Sequence, residues 1–395
     1  MSASVRHNAA DQRSLPPLRV VMAGGGTGGH LFPAIALAQE LQRREPRAAV
    51  LFVSTGQPIE RTTLARYGFE LAEIPAEGLK GKSLKIRVRA VVKAFAGVVA
   101  ALKIVNRFRP DLMVSVGSYA AGPVGLAGWL ARVPLVLQEQ NSVPGVTHRM
   151  LQPMARRVYT SFRVSRRWFP ADKVRLLGNP LRRELFQEQA DGMRSPGRQK
   201  SFTVLILGGS QGAHAINRAV AEALGPDLPK MGWIHQTGAA DEAWVREAYK
   251  ARKIAADTRG FFTNMAEVYQ RADLVICRAG ASTVTELTAL GKPAILIPFP
   301  HAADDHQTHN ARDLSDQGAA EILMESDLNG KILATRIRYF QRNPQHLARM
   351  GRRAAALGRR HAARDIVDDW YQMLNRPQKT PLPWREGLGE GDITN

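Results

Sequence analysis

Three short stretches of this 395-residue sequence hold the side chains best able to do chemistry, and each follows an apolar run of strand length. The first is Ala23-Gly24-Gly25-Gly26-Thr27-Gly28-Gly29-His30. An imidazole at the end of such a loop, with an ordinary pKa near 6.5, can take a proton from an attacking hydroxyl at neutral pH, which is worth roughly 10² to 10⁴ in rate. The second is Arg278-Ala279-Gly280-Ala281-Ser282-Thr283-Val284-Thr285-Glu286. A glutamate one turn into a helix suits the two ribose hydroxyls of a nucleotide whose diphosphate sits on the helix N-terminus, with Ser282 or Thr283 expected as the cap. The third, residues 299–310, gathers His301, Asp304, Asp305, His306, Gln307, His309 and Asn310, groups suited to sugar hydroxyls. Its histidines have no strict i, i+4 ligand spacing, and the first half of the chain has no Asp-x-Asp, so no metal is expected. A departing diphosphate would then be met by helix N-termini and basic groups. As bases, Asp111, Glu139 and Asp304 rival His30, and the residues alone do not rank them.

The glycine loop needs a strand before it and a helix after it. Residues 18–22 form a buried-strand run, and 32–41, with Pro33 near the start, carry helical apolar spacing. Such a strand-to-helix loop brings backbone close to a ligand and aims free N–H groups at an anion. Gly24, Gly26 and Gly29 satisfy the dinucleotide fingerprint, but the second strand ends in Ser54-Thr55-Gly56, where that fingerprint wants an acid. Gly29 is followed by His30 and not by Lys-Ser/Thr, which argues against an ATP or GTP loop. The same plan recurs at residues 203–207, Gly208-Gly209-Ser210-Gln211-Gly212, and a helix from Ala213. Further strand-length runs at 50–54, 112–116, 135–137, 274–277 and 293–298 alternate with helical stretches. The expected class is therefore α/β: two Rossmann-like, doubly wound parallel-sheet domains facing across a cleft, with the third stretch at a strand's carboxyl end. The expected divisions are a flexible 1–17, a first domain 18–178, a second 179–345 joined at Gly178-Asn179-Pro180, a helical segment 346–375 read as one long stretch packing back, and a coreless, disordered tail 376–395. Residues 190–200 are expected as a surface loop.

Composition narrows the setting. The single cysteine, Cys277, rules out an internal disulfide and points to a reducing cytoplasm. The net charge of +20 is concentrated: residues 80–109 carry nine Lys or Arg and 331–364 carry ten, neither with one acid. An anionic partner follows, either nucleic acid or an acidic lipid leaflet. Only Phe95 and Phe108 interleave with the first basic run, too few aromatics for a nucleic-acid surface. No apolar stretch reaches membrane-span length, and the N-terminus lacks a signal-peptide core. Residues 87–105 have the spacing of an amphipathic helix, and the preceding Gly78-Leu79-Lys80-Gly81-Lys82-Ser83-Leu84-Lys85-Ile86 mixes bases with apolar side chains as a membrane-surface contact does.

Taken together, Gly25-Gly26-Thr27-Gly28-Gly29-His30, Gln138-Glu139-Gln140-Asn141, Gly178-Asn179-Pro180-Leu181-Arg182, Gly208-Gly209-Ser210-Gln211-Gly212-Ala213, residues 278–286 and His306-Gln307-Thr308-His309-Asn310-Ala311 resemble the MurG family of bacterial N-acetylglucosaminyltransferases over about residues 18–374. The resemblance implies a GT-B fold and inverting transfer of GlcNAc from UDP-GlcNAc to the 4-hydroxyl of MurNAc in undecaprenyl-pyrophosphoryl-MurNAc-pentapeptide, with no cofactor. It implies that His30 is the base, that Thr27, Gly28 and Gly29 lie at the cleft near the acceptor pyrophosphate, and that Asn141 and Arg182 contact the donor or the cleft. Ser210 would touch the donor phosphate, Phe262 the uracil through its backbone, Ala281, Ser282, Thr283, Val284, Thr285 and Glu286 the diphosphate and ribose, and Gln307 the GlcNAc hydroxyls. Partners so implied are the anionic cytoplasmic membrane face, through residues 79–89, and other cell-wall synthesis proteins, but not nucleic acid. A UDP-GlcNAc 2-epimerase shares this architecture, and a glycolipid synthase shares the loops and the membrane patch. His306 departs from the glutamine of some members, and the tail after Arg376 matches nothing in the family.

Overall fold

The computed structural model describes residues 15–77, 84–186, 201–209, 212–225, 228 and 230–377, with the side chains of 84–92 excepted. Ser210, the 190–200 loop, the interfacial stretch up to Ser83 and most of the tail fall outside the described residues.

The first unit is built on β1 (Arg19–Ala23), β2 (Ala49–Ser54), β3 (Glu70–Glu73), β4 (Leu112–Ser115), β5 (Leu135–Glu139), β6 (Arg157–Thr160) and β7 (Val174–Arg175). They form one sheet in the order β3-β2-β1-β4-β5-β6-β7, every neighbouring pair parallel. Parallel strands need crossovers, supplied here by α1 (Gly28–Arg44), α2 (Pro58–Arg66), α3 (Leu84–Phe108), α4 (Ala121–Leu130) and α5 (Val146–Leu151). The second unit repeats the plan with β8 (Thr203–Leu207), β9 (Gly232–Gln236), β10 (Asp257–Arg259), β11 (Leu274–Cys277), β12 (Ala294–Leu296) and β13 (Glu321–Ile322), ordered β10-β9-β8-β11-β12-β13. Its helices are α6 (His214–Ala223), α7 (Glu242–Ala251), α8 (Met265–Arg271), α9 (Ala281–Leu290), α10 (His306–Ser315), α11 (Gly330–Arg342) and α12 (Pro344–Leu357). In each sheet the order reverses beside the first strand, between β1 and β4 and between β8 and β11. That switch point leaves a crevice at the strands' carboxyl ends, where the first glycine loop and its counterpart emerge. The two sheets fit the two-domain GT-B architecture.

The central strands are apolar on both faces because helices cover both: β1, β4 and β5 are almost wholly buried. Three expectations fail for identifiable reasons. Helix α1 starts at Gly28, not at residue 32, so Pro33 lies inside it and not in its first turn. Helix α9 is capped by Gly280, and neither Ser282 nor Thr283 makes a capping hydrogen bond. The stretch expected as one helix over 346–374 is two, α12 and α13 (Ala362–Met373). Gly358 separates them, and a Cβ there would stand 2.5 Å from the Thr288 carbonyl oxygen, so the chain turns where it presses on α9. After the turn, α13 returns to the first unit, and Ile366, Val367, Trp370 and Tyr371 join the core formed by β1, β2 and α1. Tyr159 donates to Asp369 at 2.7 Å and Tyr371 to Glu45 at 3.1 Å, fixing the return.

Candidate active site

The glycine loop is held rigid by its own amides and by a buried carboxylate. Gly24 has φ +117°, and any Cβ there would collide with the Gly117 carbonyl, so the segments that follow β1 and β4 approach closely only because position 24 is glycine. The Gly24 amide donates to Val53 and the Gly25 amide to Ser118 Oγ at 3.1 Å. The Gly26 amide donates to Glu60, whose carboxylate also accepts from Ser54 Oγ and the Gln57 amide. Only past these does the backbone turn outward: among the described residues, the amides of Thr27, Gly28 and Gly29 meet no acceptor. These are the first free donors of α1, aimed into the crevice with the positive end of the helix dipole.

Pro33 has a consequence at the same place. Lacking an N–H, it leaves the Gly29 carbonyl without its helical donor. Ser282 Oγ, at the start of α9 in the other unit, donates to that carbonyl at 3.4 Å. The N-termini of α1 and α9 are thereby brought face to face across the crevice. The amides of Ala281, Ser282 and Thr283 likewise have no acceptor among the described residues.

His30, in the first turn of α1, lies beside this junction and is half-buried. Its Nδ1 is 3.1 Å from Gln140 Oε1. Desolvation lowers its pKa below 6.5, the nearby His148 adds to the lowering, and the Glu139 charge and the Gln140 and Val116 acceptors offset it only in part. The ring is therefore neutral at pH 7. Behind it, Glu139 accepts from His148 Nδ1 at 2.7 Å, from the Asn141 amide at 2.9 Å and from the Gly145 amide at 3.3 Å. Burial alone would raise the Glu139 carboxyl, but the His148 imidazole and the Asn141 amide overcome it and hold the group below its usual range. Glu139 is thus an anion enclosed behind His30 with its oxygens already occupied. Asp111 instead accepts from the Arg19 amide, and Asp304 pairs with Arg149 at 3.1 Å on the rim. Of the four rivals for the base, His30 alone stands at the helix junction with a free ring nitrogen, since Nε2 has no hydrogen-bond partner among the described residues.

On the other wall, Glu286 accepts from Tyr269 at 2.8 Å. Desolvation raises its pKa, and Arg182 and Tyr269 counter only part of the rise. Arg182 spans the crevice, its guanidinium 4.1 Å from the centre of the Phe32 ring on α1. Phe262 is buried, and its amide donates to Gln236 Oε1 at 3.0 Å, leaving its carbonyl as the backbone group open to a base. Gln307 accepts from the Phe299 amide at 3.0 Å through Oε1, which leaves its amide nitrogen for a ligand. Val284 and Thr285 are buried, and Thr285 Oγ1 bonds back to the Ala281 carbonyl at 2.7 Å, so these two support the helix start. Asn310, expected among the sugar-binding groups, is fully buried and ties the units together: its Oδ1 accepts from the Ser142 amide at 3.0 Å and its Nδ2 lies 3.5 Å from Asn141 Oδ1. Asn141 is thereby placed at the crevice floor. Among the described residues no three His, Cys, Asp or Glu side chains gather as a metal site would require.

Two groups escaped the sequence-based expectation. Gln140 belongs to a recognised motif but was given no task. Glu60 was not singled out, although its signal was present: Gln57-Pro58-Ile59-Glu60 is a capping box with proline at the first helical position, and here the box also serves the glycine loop.

Comparison with known proteins gives one answer. Residues 20–160 match the glycosyltransferase family 28 N-terminal domain and residues 203–368 its C-terminal domain. The chain is 44% identical over 361 residues to the UDP-N-acetylglucosamine–N-acetylmuramyl-(pentapeptide) pyrophosphoryl-undecaprenol N-acetylglucosamine transferase of Syntrophus aciditrophicus, covering 90% of this chain and 99% of that one. It is 41% identical over 374 residues to the protein of the same name from Myxococcus xanthus, covering 92% and 97%. The crystal structure of Acinetobacter baumannii MurG superposes with a TM-score of 0.74 at 31% identity, over 90% of this chain and all of that one. A UDP-GlcNAc 2-epimerase from Neisseria meningitidis, at 12% identity and a TM-score of 0.64, shares the fold alone.

Proposed function

The chain belongs to the MurG family of UDP-N-acetylglucosamine–N-acetylmuramyl-(pentapeptide) pyrophosphoryl-undecaprenol N-acetylglucosamine transferases, and from that membership we propose how its crevice carries out the reaction. The protein is a UDP-GlcNAc-dependent hexosyltransferase of peptidoglycan biosynthesis. It moves GlcNAc from UDP-GlcNAc to the 4-hydroxyl of MurNAc in undecaprenyl-pyrophosphoryl-MurNAc-pentapeptide, converting lipid I to lipid II.

His30 is the general base in this proposal: Nε2 takes the proton of the 4-hydroxyl as its oxygen attacks C1 of GlcNAc and the bond from C1 to the UDP oxygen breaks. The observation that carries it is the neutral imidazole with an open Nε2 beside two opposed helix N-termini. The amides of Ala281, Ser282 and Thr283 hold the donor diphosphate and stabilise the charge on departing UDP, and those of Thr27, Gly28 and Gly29 face the acceptor pyrophosphate. Glu286 accepts from the ribose, with Arg182 beside it, the Phe262 carbonyl meets the uracil, and Gln307 and Asn141 meet the sugar. Ser210 is assigned to the donor phosphate on its motif alone. Residues 18–178 then form the acceptor and membrane side and 179–345 the donor side.

No helix among the described residues is long and apolar enough to cross a membrane. We assign the membrane-facing flank to the row of helices α3, α4 and α5, where Phe95, Val99, Trp129, Leu130, Val146 and Met150 are exposed. Helix α3 itself carries Lys93, Lys103 and Arg107, so apolar side chains would enter the cytoplasmic leaflet while cations meet its anionic headgroups.

The test is His30→Ala. Turnover is expected to fall at least tenfold with UDP affinity within twofold of the parent, measured by product formation and calorimetry. Unchanged turnover would take the role of base from His30.

A further inference from the structure

A neutral histidine serves as a base only through the nitrogen that lacks the proton, so a base at this position requires something to choose between Nδ1 and Nε2. We propose that Gln140 is the positioning residue that fixes His30 as its Nδ1–H form and thereby turns a bare Nε2 toward the acceptor hydroxyl. The inference rests on His30 being the base and goes beyond it by naming what prepares it.

The geometry leaves the Gln140 amide one orientation. Its Nε2 lies 3.1 Å from the Val116 carbonyl and 2.9 Å from the Gln138 carbonyl. Neither carbonyl can donate, so the amide nitrogen must face them both; the flipped amide would set its oxygen against two other oxygens in a buried site. Oε1 therefore points at His30 Nδ1, 3.1 Å away, and, being an acceptor only, it requires the proton there. Val116 directly follows β4 and Gln138 lies in β5, so the two carbonyls are placed by neighbouring parallel strands. The tautomer of a cleft residue is thus set from the sheet through Gln140, with the Val116 carbonyl as a further acceptor beside the ring. Gly117, next along, has φ +91°, and a Cβ there would stand 3.1 Å from the His30 ring, so the imidazole occupies room that only glycine leaves it.

The experiment combines ¹⁵N-histidine spectra, with the His30 signals identified by their loss in His30→Gln, and pH profiles of kcat/KM for wild type, Gln140→Met and Gln140→Glu. Wild type should show His30 protonated at Nδ1 and bare at Nε2 around pH 7.5. Gln140→Met should lose that preference and lower kcat about tenfold with KM for UDP-GlcNAc little changed, while its melting temperature falls because the Val116 and Gln138 carbonyls lose their buried donor. Gln140→Glu keeps an acceptor at the same atom but needs a proton on its other oxygen to face the Val116 and Gln138 carbonyls; as a neutral carboxylic acid it should retain the Nδ1–H form and leave the acid limb of the profile where wild type has it. A wild-type His30 protonated at Nε2, or a Gln140→Met protein that retains the Nδ1–H form, overturns the proposal. If Gln140→Met loses the tautomer while kcat is unchanged, the pairing of Gln140 with His30 survives and the role of His30 as base is what fails. Should Gln140→Met not fold, the wild-type spectrum and Gln140→Glu still decide.

Discussion

His30 and Glu286 are two titratable groups whose pKa values are displaced by the same cause in opposite directions, because desolvation disfavours a cation in one and an anion in the other. For His30 the result is a base that stays deprotonated below pH 6.5, so kcat/KM should rise with pH to a plateau whose inflection lies under 6.5 and vanishes in His30→Ala. For Glu286 the result is an acceptor already oriented by Tyr269. Loss of a charge-assisted hydrogen bond costs about 1.5–3 kcal/mol, so Glu286→Ala should weaken UDP-GlcNAc affinity roughly 10- to 100-fold, read by calorimetry, with a smaller effect on kcat. Unchanged affinity would remove the ribose contact. Both residues were visible as candidates in the sequence because each follows a strand and a small-residue turn. Gln140 was not, since its task exists only where the ends of β4 and β5 meet α1, and nothing in its immediate neighbours announces that.

Among the elements, the strand-loop-helix units carry most of the design and were the most legible part of the fold. The buried central strands β1, β4, β8 and β11 read as apolar runs. The strands missed in the sequence, such as β3, β10 and β13, are short, and Glu70–Glu73 or Asp257–Arg259 has no apolar run to recognise. The start of α1 escapes the apolar pattern for a comparable reason: Gly28 and Gly29 are poor helix formers with no apolar side chain, and they follow a loop that Glu60 holds at Gly26. A paired substitution separates the loop's backbone from its catalytic use. Gly117→Ala and Gly68→Ala both force a side chain to positive φ, at about 1–2 kcal/mol each, but only the first meets the His30 ring, whereas Gly68 has open space. Comparable losses of stability in thermal melts, with kcat reduced in Gly117→Ala alone, are expected. Equal kcat values in the two variants would show that the ring does not depend on the room glycine leaves at position 117.

Across the whole molecule, Leu181 and Leu185 already pack in the second unit's core, and after Gly358 α13 anchors the return of the chain in the first core through Trp370. The sequence offers one helical segment packing back on the domains; the break at Gly358 is not legible there, because only the packed structure brings α9 against that glycine. The charge of +20 is a property of the same scale, and its proposed lipid partner is testable. Phe95→Asp with Trp129→Asp should weaken binding to vesicles rich in anionic lipid at least fivefold, in a sedimentation assay, while leaving affinity for soluble UDP unchanged. Equal vesicle binding would move the membrane face elsewhere. The most direct measurement of the central claim is UDP release from UDP-GlcNAc by the purified protein, with and without a short-chain analogue of undecaprenyl-pyrophosphoryl-MurNAc-pentapeptide. Release that depends on the acceptor and yields the GlcNAc-MurNAc disaccharide is the predicted result; release that ignores the acceptor, or a free epimerised sugar as the product, would contradict it.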